Sequence, residues 1–266
     1  MKRLEAVLAE LKGAGSQRNV EAMARYAIVA PKAFGVSVGG IRDLGKRLGR
    51  DHALAEELWQ SGWYEARMLA AFVDDPALVT PAQMDRWCHD FDNWAICDHL
   101  CFHLFDKTPH AFAKITLWAV RKDEFVKRAA FALLASVAGH DKKSGDEPFL
   151  KCLPLIERAA SDERNFVKKG VSWALRGLGH RSAGLHAASI AMAERLAASA
   201  EAPARWVGKD TLRDLRRPAV AARYAGSSKS QAAPRTPEES PQRGGRSRVS
   251  TRSEKTQRAQ RRGTAS

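Results

Sequence analysis

Long apolar runs are missing from this 266-residue chain, and with them any stretch of the roughly 20 residues that a membrane-spanning helix needs. No leader is expected, because MKRLEAVLAELKG mixes charged and apolar residues at helical period rather than giving a charged start and an apolar stretch. Cysteine is scarce, at Cys88, Cys97, Cys101 and Cys152 only. A cytosolic protein with reduced thiols is the simplest reading. Alternating strand patterns are nearly absent. The glycine-rich GGIRDLGKRLG at 39–49 fits neither the P-loop nor the dinucleotide pattern. No serine sits in a nucleophile-elbow setting. Membrane transport, nucleotide-cradle chemistry and that class of serine hydrolysis are set aside on these grounds.

What is present is an ordinary globular composition, 44% hydrophobic and 28% charged, with a strongly basic balance of +14. Residues 227–266 hold ten Lys/Arg against three Asp/Glu, a net +7, which leaves +7 on residues 1–226. The segment after Gly226 is rich in Ser, Arg, Gln and Pro and nearly free of large apolar residues. Such a segment cannot bury enough surface to offset its ordering entropy, so a disordered basic tail is expected at 227–266 beyond a folded domain at 1–226. A folded part that is basic by itself favours polyanions through phosphate contacts and counterion release.

Apolar residues recur at three- and four-residue spacing through the first 217 positions. The pattern predicts helices near 2–12, 19–30, 39–49, 51–61, 63–74, 80–90, 93–106, 109–120, 123–138, 147–160, 163–178, 183–199 and 204–217. Thr80 and Thr108 each precede a proline and read as N-caps. One phrase occurs twice: FVKRAAFALL begins at Phe125 and FVKKGVSWAL at Phe166, 41 residues later. From residue 51 the segments fall into pairs whose second helices begin near Tyr64, Trp94, Phe125 and Phe166. The last gap is lengthened by GHDKKSGDEP, expected to be a surface loop. Repeated helix starts at such spacing predict an all-α, right-handed solenoid of HEAT-like helix pairs with a concave basic groove. An irregular α-bundle would bury the same stripes but leaves the repeated FVK start unexplained.

Several residues on these second helices stand out. Trp94 and Asp98 are four apart and share a face, where an indole and a carboxylate suit a developing positive charge. Read blandly, the tryptophan is core and the carboxylate solvated. Arg128 lies on the next second helix, and its ordinary explanation is an ion pair. Trp173 lies on the one after, among Lys168, Lys169 and Arg176, and its ordinary explanation is packing between repeats. Brought together, the basic residues suit phosphates and the tryptophans a sugar or base. Cys97 with Cys101, and His99 with His103, have a spacing that can ligate metal on a helix. The two pairs lie about 200° apart around the axis, and the cysteines are expected in the core.

With MARY at 23–26, the W-x-x-x-D unit Trp94…Asp98, RAA at 128–130 and KKGVSWALR at 168–176, all in order, the chain resembles the AlkD-like DNA alkylation repair glycosylases over roughly residues 20–217. The resemblance implies hydrolysis of the N-glycosidic bond of positively charged alkylated purines, such as 3-methyladenine and 7-methylguanine, in duplex DNA. It implies a monomer that uses neither metal nor cofactor. It further implies that Trp94 and Trp173 meet the lesion's deoxyribose, that Asp98 is the catalytic carboxylate and that Arg128 contacts a phosphate. Tyr26 would be a further DNA-proximal residue, and Lys127, Lys168, Lys169 and Arg176 would extend the basic groove. The chain departs from that family at Ala95, where an acidic residue is frequent, and over PKAFGVSVGG at 31–40. A non-catalytic module that binds damaged or structured DNA is the alternative reading. A protein-interaction solenoid fits the basic charge poorly.

Overall fold

The computed structural model describes residues 2–224; the expected tail at 227–266 lies outside them. Among the described residues every regular element is helical. The chain opens with α1 (Lys2–Gly13), α2 (Gln17–Met23) and α3 (Val38–Leu48). Helix pairs follow: α4 (His52–Gln60) with α5 (Tyr64–Val73), α6 (Pro81–His89) with α7 (Trp94–His103), and α8 (Ala111–Trp118) with α9 (Glu124–His140). The next first helix is split into α10 (Glu147–Leu150) and α11 (Leu153–Ala159), followed by α12 (Asn165–Gly179). The series ends with α13 (Ala183–Ala197), α14 (Ala202–Leu215) and the short α15 (Pro218–Tyr224). Second helices pack on one another in chain order, α5 on α7, α7 on α9, α9 on α12 and α12 on α14. That stacking is the solenoid the repeat predicts.

Local chemistry sets the starts. Thr80 caps α6 in a full capping box, accepting from the Gln83 amide at 3.1 Å while the Gln83 side chain accepts from Thr80 N–H. Asn93 caps α7 through the amides of Ala95 and Ile96, at 3.1 and 3.0 Å. The repeated phrase does what its spacing implies. Phe125 and Phe166 are the second residues of α9 and α12, and their rings lie 5.4 Å apart, so equivalent positions of neighbouring repeats touch. Most of α9 is enclosed, with Val126 and every residue from Arg128 to Ala138 buried. It packs on α6, α7, α8 and α12 and forms the centre of the stack.

Three expectations are corrected. The helix expected at 19–30 stops early: α2 gives way to a 3-10 turn at Ala24–Tyr26, and Ala27 closes it in the left-handed region at φ 55°. Residues 28–37 are then non-helical, because the buried carboxylate of Glu65 binds the amides of Phe34, Gly35 and Val36 at 2.9, 2.6 and 3.3 Å. Thr108 is not an N-cap. Its hydroxyl donates back to the Phe105 carbonyl at 2.8 Å, and α8 starts only at Ala111. The helix expected at 147–160 is interrupted at Lys151 and Cys152. Beyond the last expected helix, Pro218 opens the further short helix α15. The GHDKKSGDEP insertion is the exposed connection expected, its loop running from Asp141 to Asp146.

Candidate nucleic-acid interface

The fifth residue of each stacked second helix forms one row: Met68 in α5, Asp98 in α7, Arg128 in α9, Lys169 in α12 and Trp206 in α14. All five line a run of open pockets that share residues with one another. The pocket of about 450 Å³ at Met68 and Asp98 is also lined by Tyr26, Trp94, Phe102 and Trp173. Its neighbour, about 440 Å³, is lined by Arg25, Tyr26, Trp94, Arg128, Asn165, Phe166 and Lys169. A third, about 370 Å³, lies between α12 and α14. Helical register alone therefore brings residues 68 to 206 onto one face.

Trp94, Asp98 and Trp173, singled out from sequence, do converge on a single pocket, and Tyr26 joins them with 66% of its surface exposed. The Trp94 indole is held from the N-terminal side, its Nε1–H donating to the Tyr26 carbonyl at 2.8 Å. The shortened α2 and the left-handed Ala27 thus present a carbonyl to the tryptophan. Sequence reasoning missed this tie because it extended the helix through Tyr26.

Arg128 is placed differently from its expected role as a free phosphate contact. The guanidinium closes on Asp98 as a fork, Nε to Oδ1 at 2.8 Å and Nη2 to Oδ2 at 2.6 Å. Its Nη1 donates to the Phe166 carbonyl at 2.6 Å, and the residue is buried. The ion pair, the ordinary explanation, is what forms. Burial pushes the Asp98 carboxyl up, and the Arg128 charge and its hydrogen bonds pull against that rise. Burial likewise opposes the charge on Arg128, but Asp98 more than offsets it and holds the guanidinium above its usual pKa.

The other basic residues divide. Lys127 is not brought to the pockets; its Nζ pairs with Asp162 at 3.0 Å, beside Arg164. Lys168 lies over the Trp206 ring, 5.0 Å from its centroid. Arg176 lines the α12–α14 pocket at 3.8 Å from Asp210. Lys169 is exposed and lines two pockets. Arg25, missed from sequence, shares one of them and is also exposed. Neither forms an ion pair among the described residues. Trp206 was missed as well; its signal was the RWVGK phrase on the helix expected at 204–217, which repeats the pairing of tryptophan with basic residues seen at Trp173.

Cys97 and Cys101 pack in the core as expected, donating to the carbonyls of Phe125 and Ala129 at 3.7 and 3.5 Å. His99 and His103 pack on Phe72, their rings 4.5 Å apart. His99 donates from Nε2 to the Met68 carbonyl at 3.0 Å, which fixes its neutral tautomer, and burial lowers its pKa to about 3. His103 also packs on Phe102, while His99, bonded to the Met68 carbonyl, is among the residues that line the Asp98 pocket.

Stacked helix pairs with an indole-lined, basic face define the class: a HEAT-like α-solenoid. The chain belongs to the DNA alkylation repair enzyme family, whose sequence model matches residues 7–224. Among solved structures, it is similar to one from "a new family of proteins related to the HEAT-like repeat DNA glycosylases with affinity for branched DNA structures". The two are 18% identical with a TM-score of 0.67, over 79% of this chain and 94% of that one, a likeness of fold. An engineered protein (11% identity, TM-score 0.34, 67% and 91% covered) and a designed armadillo repeat protein (14%, 0.31, 67% and 92%) are more distant. No curated protein matches the sequence. Among the described residues no helix is long and apolar enough to cross a membrane.

Proposed function

We propose that this chain is a monofunctional DNA glycosylase that hydrolyses the N-glycosidic bond of positively charged alkylated purines, 3-methyladenine and 7-methylguanine, in duplex DNA. The observation that carries the reading is the meeting of Trp94, Asp98 and Trp173 on one open pocket. A cationic purine is already a good leaving group. As the C1′–N bond breaks, its electron pair goes to the base and positive charge grows on the sugar. The Asp98 carboxylate faces that charge, the indole faces of Trp94 and Trp173 stabilise it, and water adds at C1′ and loses a proton. The products are free base and an abasic site. Open pockets suit a lesion approached through its backbone without a deep base-flipping cavity.

Arg128 serves here as a positioning residue. It opposes the rise that burial imposes on the Asp98 carboxyl and fixes its orientation, while Lys169 and Arg25 take the phosphate contacts first expected of Arg128. The same pairing supports a second reading. A carboxylate already neutralised by a guanidinium is a weaker electrostatic catalyst, and the structurally similar protein is described by its affinity for branched DNA. In that reading the chain is a non-catalytic module for damaged or structured DNA.

Duplex DNA containing 7-methylguanine or 3-methyladenine separates the two readings, with free base and alkali-labile sites measured over time. The wild-type chain is expected to release base. Asp98→Asn is expected to lose turnover by at least about a hundredfold, as for a lost electrostatic stabiliser, and to keep DNA binding. Binding without base release from either lesion would leave only the module.

A further inference from the structure

The row of fifth residues does not end at the lesion pocket. It continues to Trp206 on α14, one helix beyond Lys169. Trp206 is a large apolar side chain left 37% exposed. Together with Trp173 it lines the 370 Å³ pocket between α12 and α14, where Lys169 and Arg176 supply positive charge, Arg128 is closed on Asp98 and Asp210 is the acidic member. Asp210 is already occupied: Ser172 donates to it at 2.6 Å, and Arg213 and Arg176 pair with it. Lys168 covers one side of the Trp206 ring and is not among the residues that line the pocket. An indole backed by a cation on one side, with a second indole and unpaired Lys169 across an open space, is the combination that stacks a nucleobase and holds its phosphate.

We infer that this pocket is a second nucleotide subsite, in which an unpaired DNA base stacks on Trp206 while Lys169 and Arg176 meet the neighbouring phosphates. The inference rests on the reading that this face binds DNA, and not on glycosidic cleavage. Trp173 stands between the two pockets, lining both. Fully paired DNA has no base to offer this pocket; a flap, gap or junction does. The subsite therefore gives the chain a preference for DNA with a single-stranded segment beside a duplex.

The test uses the full chain and two labelled DNAs, a paired duplex and the same duplex with a short unpaired thymine flap, read by fluorescence anisotropy. Wild-type protein is expected to favour the flap by at least about fivefold, the equivalent of about 1 kcal/mol for one stacked base. Trp206→Ala is expected to remove that preference and to keep binding of the paired duplex. Trp206→Phe keeps an aromatic ring at the position and guards against a folding defect. It is expected to keep part of the preference and to lose the share of tryptophan fluorescence that oligothymidylate quenches in the wild type. Equal affinity of the wild type for both DNAs, an equal loss on both from Trp206→Ala, or unchanged quenching in Trp206→Phe overturns the subsite. Base release from methylated paired duplex is scored separately. Flap preference without release sinks the glycosylase and keeps the subsite; release without flap preference does the reverse.

Discussion

At Arg128, three of five guanidinium N–H groups are committed before any DNA arrives, two to Asp98 and one to the Phe166 carbonyl. Removing the arginine leaves a carboxylate in a largely dry place. Arg128→Ala is therefore expected to lose about 3–5 kcal/mol of folding stability, measured by urea unfolding, and the double change with Asp98→Ala is expected to recover part of that loss. A simple phosphate contact would weaken DNA binding and leave stability nearly untouched, so the two roles separate cleanly. Glu65 is a second residue whose importance lies in what it satisfies. Its fully buried carboxylate accepts from three consecutive amides, and Glu65→Ala leaves all three without an acceptor. A loss of about 3 kcal/mol or more is expected, with faster amide exchange at Phe34 and Gly35. Glu65→Gln, which keeps one carbonyl, is expected to lose less.

At the scale of the element, the stack depends on how closely helices approach. A Cβ added to Gly208 on α14 would stand 2.3 Å from the Ala197 amide nitrogen and 2.5 Å from the Ala193 carbonyl oxygen on α13. Backbone cannot retreat as a flexible side chain does. Gly208→Ala is expected to destabilise by about 3 kcal/mol, at the upper end for overpacking, and to weaken binding of flap DNA, but not of paired duplex, through Trp206, two residues away on the same helix. A melting curve and an anisotropy titration check the two halves. At Gly170 the same addition meets Arg128 and Phe131 at 3.5 and 3.6 Å, ordinary contact, so Gly170→Ala is expected to be tolerated.

For the molecule as a whole, protons and salt act on different parts. His99 is buried in its neutral form with its pKa lowered to about 3 from 6.5. The unfolded chain thus binds a proton that the folded chain refuses between these values. Stability rises with pH across that window and is lost as pH falls below 6.5, by about 2 kcal/mol from this one group at pH 5. His99→Phe is expected to flatten that slope in urea midpoints measured from pH 7 to pH 5. Salt is expected to act on the proposed DNA face, where Arg25 and Lys169 have no acidic partner among the described residues. Lys169→Ala is expected to reduce the slope of log affinity against log salt by about 1. Lys127→Ala, whose lysine is spent on Asp162, is expected to leave the slope unchanged.

Helical period and a repeated phrase are local quantities, and the sequence by itself determined what depends on them: the second helices, their starts near Tyr64, Trp94, Phe125 and Phe166, and the shared face of Trp94, Asp98 and Trp173. Periodicity says which side of a helix faces inward; it does not say which neighbour a charged tip will meet. Only the tertiary structure decided that Arg128 closes on Asp98, that Lys127 turns to Asp162, that Lys168 covers Trp206, that Glu65 binds the amides of residues 34–36 and that the Tyr26 carbonyl takes the Trp94 indole. Each of those is a contact of at least 29 residues in sequence separation. The ion pair of Arg128 and the amide contacts of Glu65 form because a buried charge or amide must find a partner, the cover of Lys168 on Trp206 because a cation is drawn to an indole face, and no local window of sequence contains both members of any pair.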